Sequence, residues 1–485
     1  MMTRLAVFRC DADANIGFGH LIRCLALAEG LCNEGWTCAF AVSTDTAKCL
    51  PTAARSQRIF ILPFDQHAAA MAKEFGKCEL LIVDHYRLGK AFESECRSWA
   101  EKILVIDDLA DRDHDCDFLL DQTLGRVADN YRDKVSSSCK MLLGPDYALL
   151  RQQFPAVRFL SPRPLRQHLS NVLVSLGGSA PQEYEDKVLD GISNSDMLIQ
   201  TRLISGFVPA VVEPRPHLSR LFAVEDMANL MLEADLAIGA AGSSSWERCC
   251  LGVPSLLGVS ANNQKEIASR LATAGAAILI GEWSTVTVNE IAAHLRTLAD
   301  PTRLGALSAA AAGICDGLGV GRILLAIDPP RTYKGVEIGL RRALHGDCDL
   351  ILAWQNEPEA RRYSHNPEIP DSASHACWFM EKLRTPTTAF HLIQVGEETV
   401  GMLRVDLNTK YELQVSFFVS AGFRYCGLGS AAISTLPRLF PWARFYAEAH
   451  VENLASAKAL MRGGFQRTGD SSFEIAPKFS KVMGQ

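Results

Sequence analysis

Three places in this 485-residue chain carry residue types at spacings that could do chemistry. The first is Arg9-Cys10-Asp11, followed by Gly17-Phe18-Gly19-His20. A glycine turn that opens a helix lets a bound group approach the backbone. The first-turn amides add unpaired donors and partial positive charge, which suits a diphosphate or a developing oxyanion. A histidine at that position is expected to face the cleft, stay neutral and act as a base. By spacing alone, Gly-x-Gly-His reads equally as a plain turn with a polar cap residue. Arg9 and Asp11 tip the reading, because the end of the preceding strand puts a cation and an acid on the same side. Asp11 is the expected partner that orients His20.

The second place is Gly239-Ala240-Ala241-Gly242-Ser243-Ser244-Ser245-Trp246-Glu247, with Asn262-Asn263-Gln264 further on. Ser244 and Ser245 can bind phosphate oxygens beside helix-start amides. Glu247 can accept two ribose hydroxyls, as acids do in dinucleotide folds. The competing reading is an ordinary strand-to-helix turn with serine caps. Gly178, in Ser175-Leu176-Gly177-Gly178-Ser179, supplies another glycine loop.

The third place is the strand end Phe418-Val419 and the run Arg424-Tyr425-Cys426-Gly427-Leu428-Gly429-Ser430. Successive amides there can ring a pyrophosphate, and Arg424 can supply positive charge. A simple turn is the alternative. Glu412, Glu448 and His450 flank this run, and the resemblance given below implies them as candidate bases for a substrate ammonium.

Elements must position these groups. Over residues 1–160, short β-rich runs alternate with helical patterns. Leu80–Asp84 and Ile103–Asp108 read as buried strands that end in acids. That rhythm implies a parallel sheet with crossover helices. Residues 161–168 read as a linker, and a second α/β series occupies 168–326. Ligands of such sheets sit beyond the carboxyl ends of the strands. After a break at 327–333, residues 334–485 read as an α+β domain. Its segment 337–389 is expected to be mainly helical, with strands near 391–395, 399–405 and 411–419 after it.

Composition excludes some classes. A formal net charge of −6 gives no support for a nucleic-acid or anionic-membrane surface. The N-terminus lacks an export-type apolar segment, and no apolar run is expected to reach the ~18 residues of a membrane span, so a cytoplasmic protein is expected. Fifteen cysteines form no CxxC pair and read as buried small hydrophobes, Cys32 among them. The acid-rich stretch from Asp107 to Asp121 does not match a calcium loop. It reads as solvated or structural, with Asp84, His85 and Asp108 able to line the cleft. No metal is expected.

The run from Arg9 through Gly17-Phe18-Gly19-His20-Leu21-Ile22-Arg23 resembles the start of the UDP-2,4-diacetamido-2,4,6-trideoxy-β-L-altropyranose hydrolases of pseudaminic acid biosynthesis, over about residues 4–325. The resemblance implies two Rossmann-like halves of glycosyltransferase-B type. It also implies that His20 activates water at the anomeric carbon and that Asn263 contacts the substrate. Arg9, Gly17, Gly19, Gly178, Ser244, Ser245, Glu247 and Gln264 would complete a UDP-sugar site. Residues 239–264 also resemble the UDP-GlcNAc-using glycosyltransferase of peptidoglycan precursor synthesis. Ala180-Pro181 stands where the hydrolases often have Asp-Pro.

The third run, with Glu448 through Asn453, Ser456 and Phe465, resembles the Gcn5-related N-acetyltransferases over about 335–475. That implies acetyl-CoA as cosubstrate, bound by Phe418, Val419, Arg424–Ser430, Asn453 and Ser456. Met461 stands where many of these enzymes have a tyrosine that protonates the CoA thiolate, and methionine cannot donate a proton. Together the resemblances imply N-acetylation of a UDP-linked 4-amino sugar and release of UDP, on one chain. The alternatives are a UDP-sugar glycosyltransferase with a fused acyltransferase, and a sugar-nucleotide sensor.

Overall fold

Apolar strands flanked by glycine turns and amphipathic helices leave little choice but stacked α/β layers. The computed structural model describes residues 4–12, 17–51, 54, 57–63, 67–178, 180–206, 215–357, 359–364 and 366–477. Residues 13–16, between Asp11 and Gly17 of the first motif, and Ser179 of the Gly178 loop lie outside the described residues. Contacts divide the chain into two compact units, 1–154 with 163–320, and 155–162 with 321–485.

The first unit holds two parallel sheets. One contains β1 (Leu5–Cys10), β2 (Thr37–Val42), β3 (Arg58–Ile61), β4 (Cys78–Asp84), β5 (Ala100–Ile106), β6 (Phe118–Asp121) and β7 (Lys140–Leu143). Their order is β3-β2-β1-β4-β5-β6-β7. The other contains β8 (Asn171–Ser175), β9 (Gln200–Ile204), β10 (Leu218–Leu221), β11 (Leu236–Ala240), β12 (Ser255–Val259) and β13 (Ala277–Glu282), in the order β10-β9-β8-β11-β12-β13. Both are the doubly wound 3-2-1-4-5-6 order, which the first extends by one strand. Two Rossmann-like halves of glycosyltransferase-B type therefore form this unit. In each, the strand order reverses between the first and fourth strands. That opens one crevice between β1 and β4 and another between β8 and β11.

The chemistry-bearing loops leave exactly those crevices' strand ends: Asp11 follows β1, Asp84 ends β4, Gly177-Gly178 follows β8 and Ser243–Ser245 follows β11. The strands stay rigid because they are buried on both faces. Val7, Phe8, Leu81 and Ile82 have at most a trace of exposure, and each such side chain contributes roughly 1.5–3 kcal/mol on burial.

The second unit carries β14 (Gly339–Arg342), β15 (Thr388–Val395), β16 (Glu398–Leu407), β17 (Leu413–Val419), β18 (Phe445–Glu448), β19 (Gln466–Arg467) and β20 (Ser472–Ile475), in the order β14-β15-β16-β17-β18-β20-β19. All neighbours are antiparallel except β17 and β18, which run parallel and pair only through Leu413–Phe445 and Gln414–Tyr446. Beyond that point the two strands part. The first strand, β14, corrects the expectation that 337–389 is mainly helical. Helices there span only Cys348–Gln355 and Ser372–Arg384. In this unit Phe159 packs edge-on against Phe440.

Two composition readings also need correction. Pro301–Ile327 does have the length and apolarity of a membrane span, although 72% of that window is buried and the run is broken into helices Pro301–Ile314 and Gly319–Ile327. Cys32 is exposed near the C-terminal end of its helix, while Cys24 and Cys250 are buried.

Candidate functional sites

The helix Gly19–Asn33 begins one residue after Phe18, and Gly17 has φ +82°, a left-handed value that favours glycine. His20 is not held by Asp11. Its Nδ1 lies 2.5 Å from Asp84 Oδ1. Asp84 also accepts two bonds from Arg23, Nε to Oδ2 and Nη2 to Oδ1, both 2.6 Å. Burial would raise the Asp84 carboxyl, but the Arg23 guanidinium and His20 hold it well below the usual carboxylate range. A carboxylate that stays ionised fixes the proton on Nδ1 and leaves the Nε2 lone pair as the base. Nε2 has no hydrogen-bond partner among the described residues. His20 is 6% exposed, so the expected openly exposed ring is corrected to one nearly enclosed by Tyr86. The two rings meet edge-on at 4.6 Å.

Asp11 belongs to a neighbouring cluster. It accepts from Arg9 Nη2 at 2.8 Å and Ser43 N at 2.8 Å, and lies 3.3 Å from His85 Nε2. Burial opposes its charge, but the His85 and Arg9 contacts keep it well below the ordinary range. Arg9 is 1% exposed and braces this wall of the crevice from inside.

The two halves meet at their glycines. A Cβ on Gly19 would stand 3.2 Å from Ser243 Oγ, and one on Gly178 would stand 3.3 Å from the Phe18 ring. A side chain at either position would crowd one from the other half, which glycine avoids. Asn263 Nδ2 donates to Tyr86 Oη at 2.9 Å, so the asparagine of the second half reaches the ring that covers His20. Tyr86 Oη in turn faces Asp108 Oδ2 at 3.4 Å, and Asp108 takes Arg23 Nη1 at 3.1 Å. Gln264 does a local task, its Oε1 accepting from Ser260 N at 2.9 Å.

Glu247 is mostly covered, and its Oε1 accepts from Arg151 Nη2 at 3.1 Å. Burial raises its carboxyl despite Arg151. Ser244 and Ser245 both accept from Arg248, and Ser245 is buried.

The acid-rich stretch is structural at its two ends, where Asp107 and Asp121 are buried, and solvated between them, where Asp111 and Asp113 are exposed. His114 Nδ1 lies 2.8 Å from Glu93 Oε1. Tyr131 Oη donates to Asp107 and Asp121 at 2.9 and 2.8 Å. Arg126, bonded to Asp121, reaches Glu266 of the second half.

In the second unit the glycine-rich run turns through two left-handed residues, Tyr425 at φ +63° and Gly427 at φ +85°. Such a turn swings successive amides toward one side, which suits a pyrophosphate. The parting of β17 from β18 leaves an edge for an extended chain beside Phe418 and Val419. Gly429 lets the Phe417 ring approach, 3.2 Å from where a Cβ would stand. Arg424 is anchored, with Nε on Val419 O at 3.1 Å and Nη2 on Glu357 Oε2 at 3.0 Å. Asn453 caps the following helix, accepting from Ser456 N at 3.1 Å.

Of the candidate bases, Glu412 sits in the turn before β17, held by Asn408, about 20 Å along the strand from Val419. Tyr446 Oη donates to Glu448 Oε1 at 2.6 Å, and that bond raises the phenol. His450 stacks on Tyr363 at 5.3 Å. Met461 is half exposed.

Sequence reading passed over Arg23, Tyr86 and Glu357. Arg23 had one available signal, a helical i, i+3 spacing from His20 that puts both on one face.

Residues 337–466 match the acetyltransferase (GNAT) domain family, and the chain carries such a domain at its C-terminal end. The spore coat polysaccharide biosynthesis protein SpsG of Bacillus subtilis is 27% identical over 284 residues, 56% of this chain and 82% of that protein. The UDP-2,4-diacetamido-2,4,6-trideoxy-beta-L-altropyranose hydrolase of Campylobacter jejuni is 27% identical over 182 residues, 36% of this chain. The match spans 60% of that hydrolase's length. An uncharacterized protein of Methanocaldococcus jannaschii, MJ1062, is 21% identical over 498 residues, 94% of this chain and 96% of its own.

Proposed function

We propose that the chain is a bifunctional sugar-nucleotide enzyme of nonulosonic acid biosynthesis in the cytoplasm. Its acetyltransferase domain N-acetylates a UDP-4-amino-4,6-dideoxy-AltNAc-type sugar, and its two-half unit hydrolyses the resulting UDP-2,4-diacetamido-2,4,6-trideoxy-β-L-altropyranose to free sugar and UDP. The observation that carries the hydrolytic half is the His20–Asp84 pair at 2.5 Å at the β1/β4 crevice. The similarity to the Campylobacter jejuni hydrolase supports the same reading.

The chemistry follows from the tautomer. Nε2 of His20 takes a proton from water as that water attacks the anomeric carbon. Asp84 stabilises the imidazolium that forms, while Arg23 keeps Asp84 ionised and in place. The C1–O bond breaks and UDP departs, its charge met by donors of the Ser243–Ser245 loop. Direct attack inverts the anomeric centre. Glu247 would receive the ribose hydroxyls, and Asn263 would hold the sugar against Tyr86.

In the second unit, acetyl-CoA supplies an activated acetyl thioester. The Tyr425–Ser430 amides hold its diphosphate, and Glu412, Glu448 or His450 takes the proton from the substrate ammonium.

The test is to incubate the full chain with the UDP-linked 4-amino sugar, with and without acetyl-CoA. Acetyl transfer followed by UDP release is expected, without any added acceptor. UDP release that requires an alcohol acceptor would instead favour a glycosyltransferase. Absence of both acetyl transfer and UDP release would overturn the reading.

A further inference from the structure

Arg248 is a buried cation that the reaction above does not use. It lies on the helix Ser244–Cys250 and is 2% exposed. Its Nη1 donates to Ser244 Oγ at 3.1 Å. Its Nη2 donates to Ala240 O at 2.8 Å and Ser245 Oγ at 3.0 Å. Nε has no partner. Among the described residues, no carboxylate lies within ion-pair distance of it. The adjacent Glu247 is committed to Arg151 at 3.1 Å. Burial pushes the guanidinium down to about 10, so it remains a cation at neutral pH.

An ionised group this deep is costly unless an opposite charge answers it. Glu247 answers Arg151, which leaves the charge of Arg248 without a carboxylate among the described residues. A Cβ on Gly239 would stand 2.5 Å from Ser175 O and 3.1 Å from Arg248 Nη1, so the bare glycine lets the strand and the guanidinium lie close together.

Guanidinium nitrogens can only donate. Ser244 and Ser245 must therefore accept from Arg248, and each keeps its own O–H proton to give elsewhere. The same loop presents Ser243 to Gly19 of the opposite half. A cation behind two hydroxyls fixed as donors is an arrangement that answers an anion.

Building on the UDP-binding reading above, we propose that Arg248 is the built-in counter-charge for the nucleotide's diphosphate. It acts through Ser244 and Ser245 as a positioning residue, without touching the reacting atoms. The ligand class is a nucleoside diphosphate, recognised here by its charge and not by its base.

The test is calorimetric titration of the full chain with UDP and, separately, with uridine. Arg248→Met is expected to weaken UDP at least tenfold while uridine stays within twofold. Arg248→Lys, which keeps the charge, should recover UDP binding to within about threefold of the parent. A purely structural role would move both ligands together, so an equal loss for UDP and uridine overturns the proposal, as does unchanged UDP affinity. Should Arg248→Met fail to fold, Ser244→Ala carries the test, with a several-fold loss for UDP alone expected and an equal change for both ligands overturning it. A parent chain that binds UDP no more tightly than uridine would refute the UDP-site reading itself, whatever the variants do.

Discussion

The crevice around His20 and the cradle around Gly427 are built from opposite materials. At the first, the working parts are titratable side chains. Asp84, Arg23 and Arg9 are each at most 5% exposed and tied into ion pairs. At the second, the working parts are backbone conformation and a strand gap, and Tyr425 stands 83% exposed. A site that must set a tautomer needs fixed charge in a low-dielectric pocket. A site that only has to hold a diphosphate and an extended thioester can use amides, which cost nothing to keep in water.

That contrast can be broken most directly at His20. His20→Asn should lower the rate of UDP release by about a thousandfold, within the range for removing a general base, and leave acetyl transfer unchanged. A loss of both activities in the two product assays would mean the regions are not separable.

Asp84→Asn tests whether the charge is structural as well. It leaves Arg23 buried without its bidentate partner, which should cost about 3–5 kcal/mol. The urea midpoint of the first unit should fall, with the second unit's transition unmoved. No such shift is expected for Glu448→Gln, whose partner is half-exposed.

The same buried charge makes the first unit sensitive to pH. The His114 imidazole is raised from 6.5 to about 9; burial opposes its charge, but the Asp107 and Glu93 contacts prevail. Its folded value lies above the unfolded one. Its contribution is therefore complete below about pH 6.5 and is lost as pH rises through about 9. Roughly 3 kcal/mol should disappear across that window, and His114→Gln should flatten the melting-temperature profile there.

The smallest effect belongs to the backbone site. Gly427→Ala puts a side chain on a left-handed residue, 2.7 Å from the Tyr333 ring. The KM for acetyl-CoA should rise about tenfold, consistent with the usual cost of such strain, with UDP release unaffected.

The sequence exposed much of this, for identifiable reasons. Apolar runs gave both parallel sheets, those of the first ending in acids, and the glycine turns gave all three loops, because each signal is local. What it could not give was lateral order. Asp11 lies nine residues from His20 in sequence and Asp84 lies 64 away, yet β4 runs beside β1 and brings Asp84 to the histidine. Strand neighbours are set by packing over the whole sheet, and no short window records them. The strand β14 was missed because four residues before a helix carry too little pattern. Arg248, set between Trp246 and two cysteines, had an apolar surrounding that pointed to burial without naming what it would face.

The glycines at 19 and 178 have a dynamic consequence. Each gives up its side chain to a residue of the opposite half, Ser243 or Phe18, so the shut crevice is sterically full at its rim. On the UDP-site reading proposed above, release of the nucleotide is expected to require the halves to part. Catalytic turnover would then carry the signature of a gate. It should slow as solvent viscosity rises, and widening either rim residue should prop the gate ajar, trading grip on the nucleotide for speed of escape.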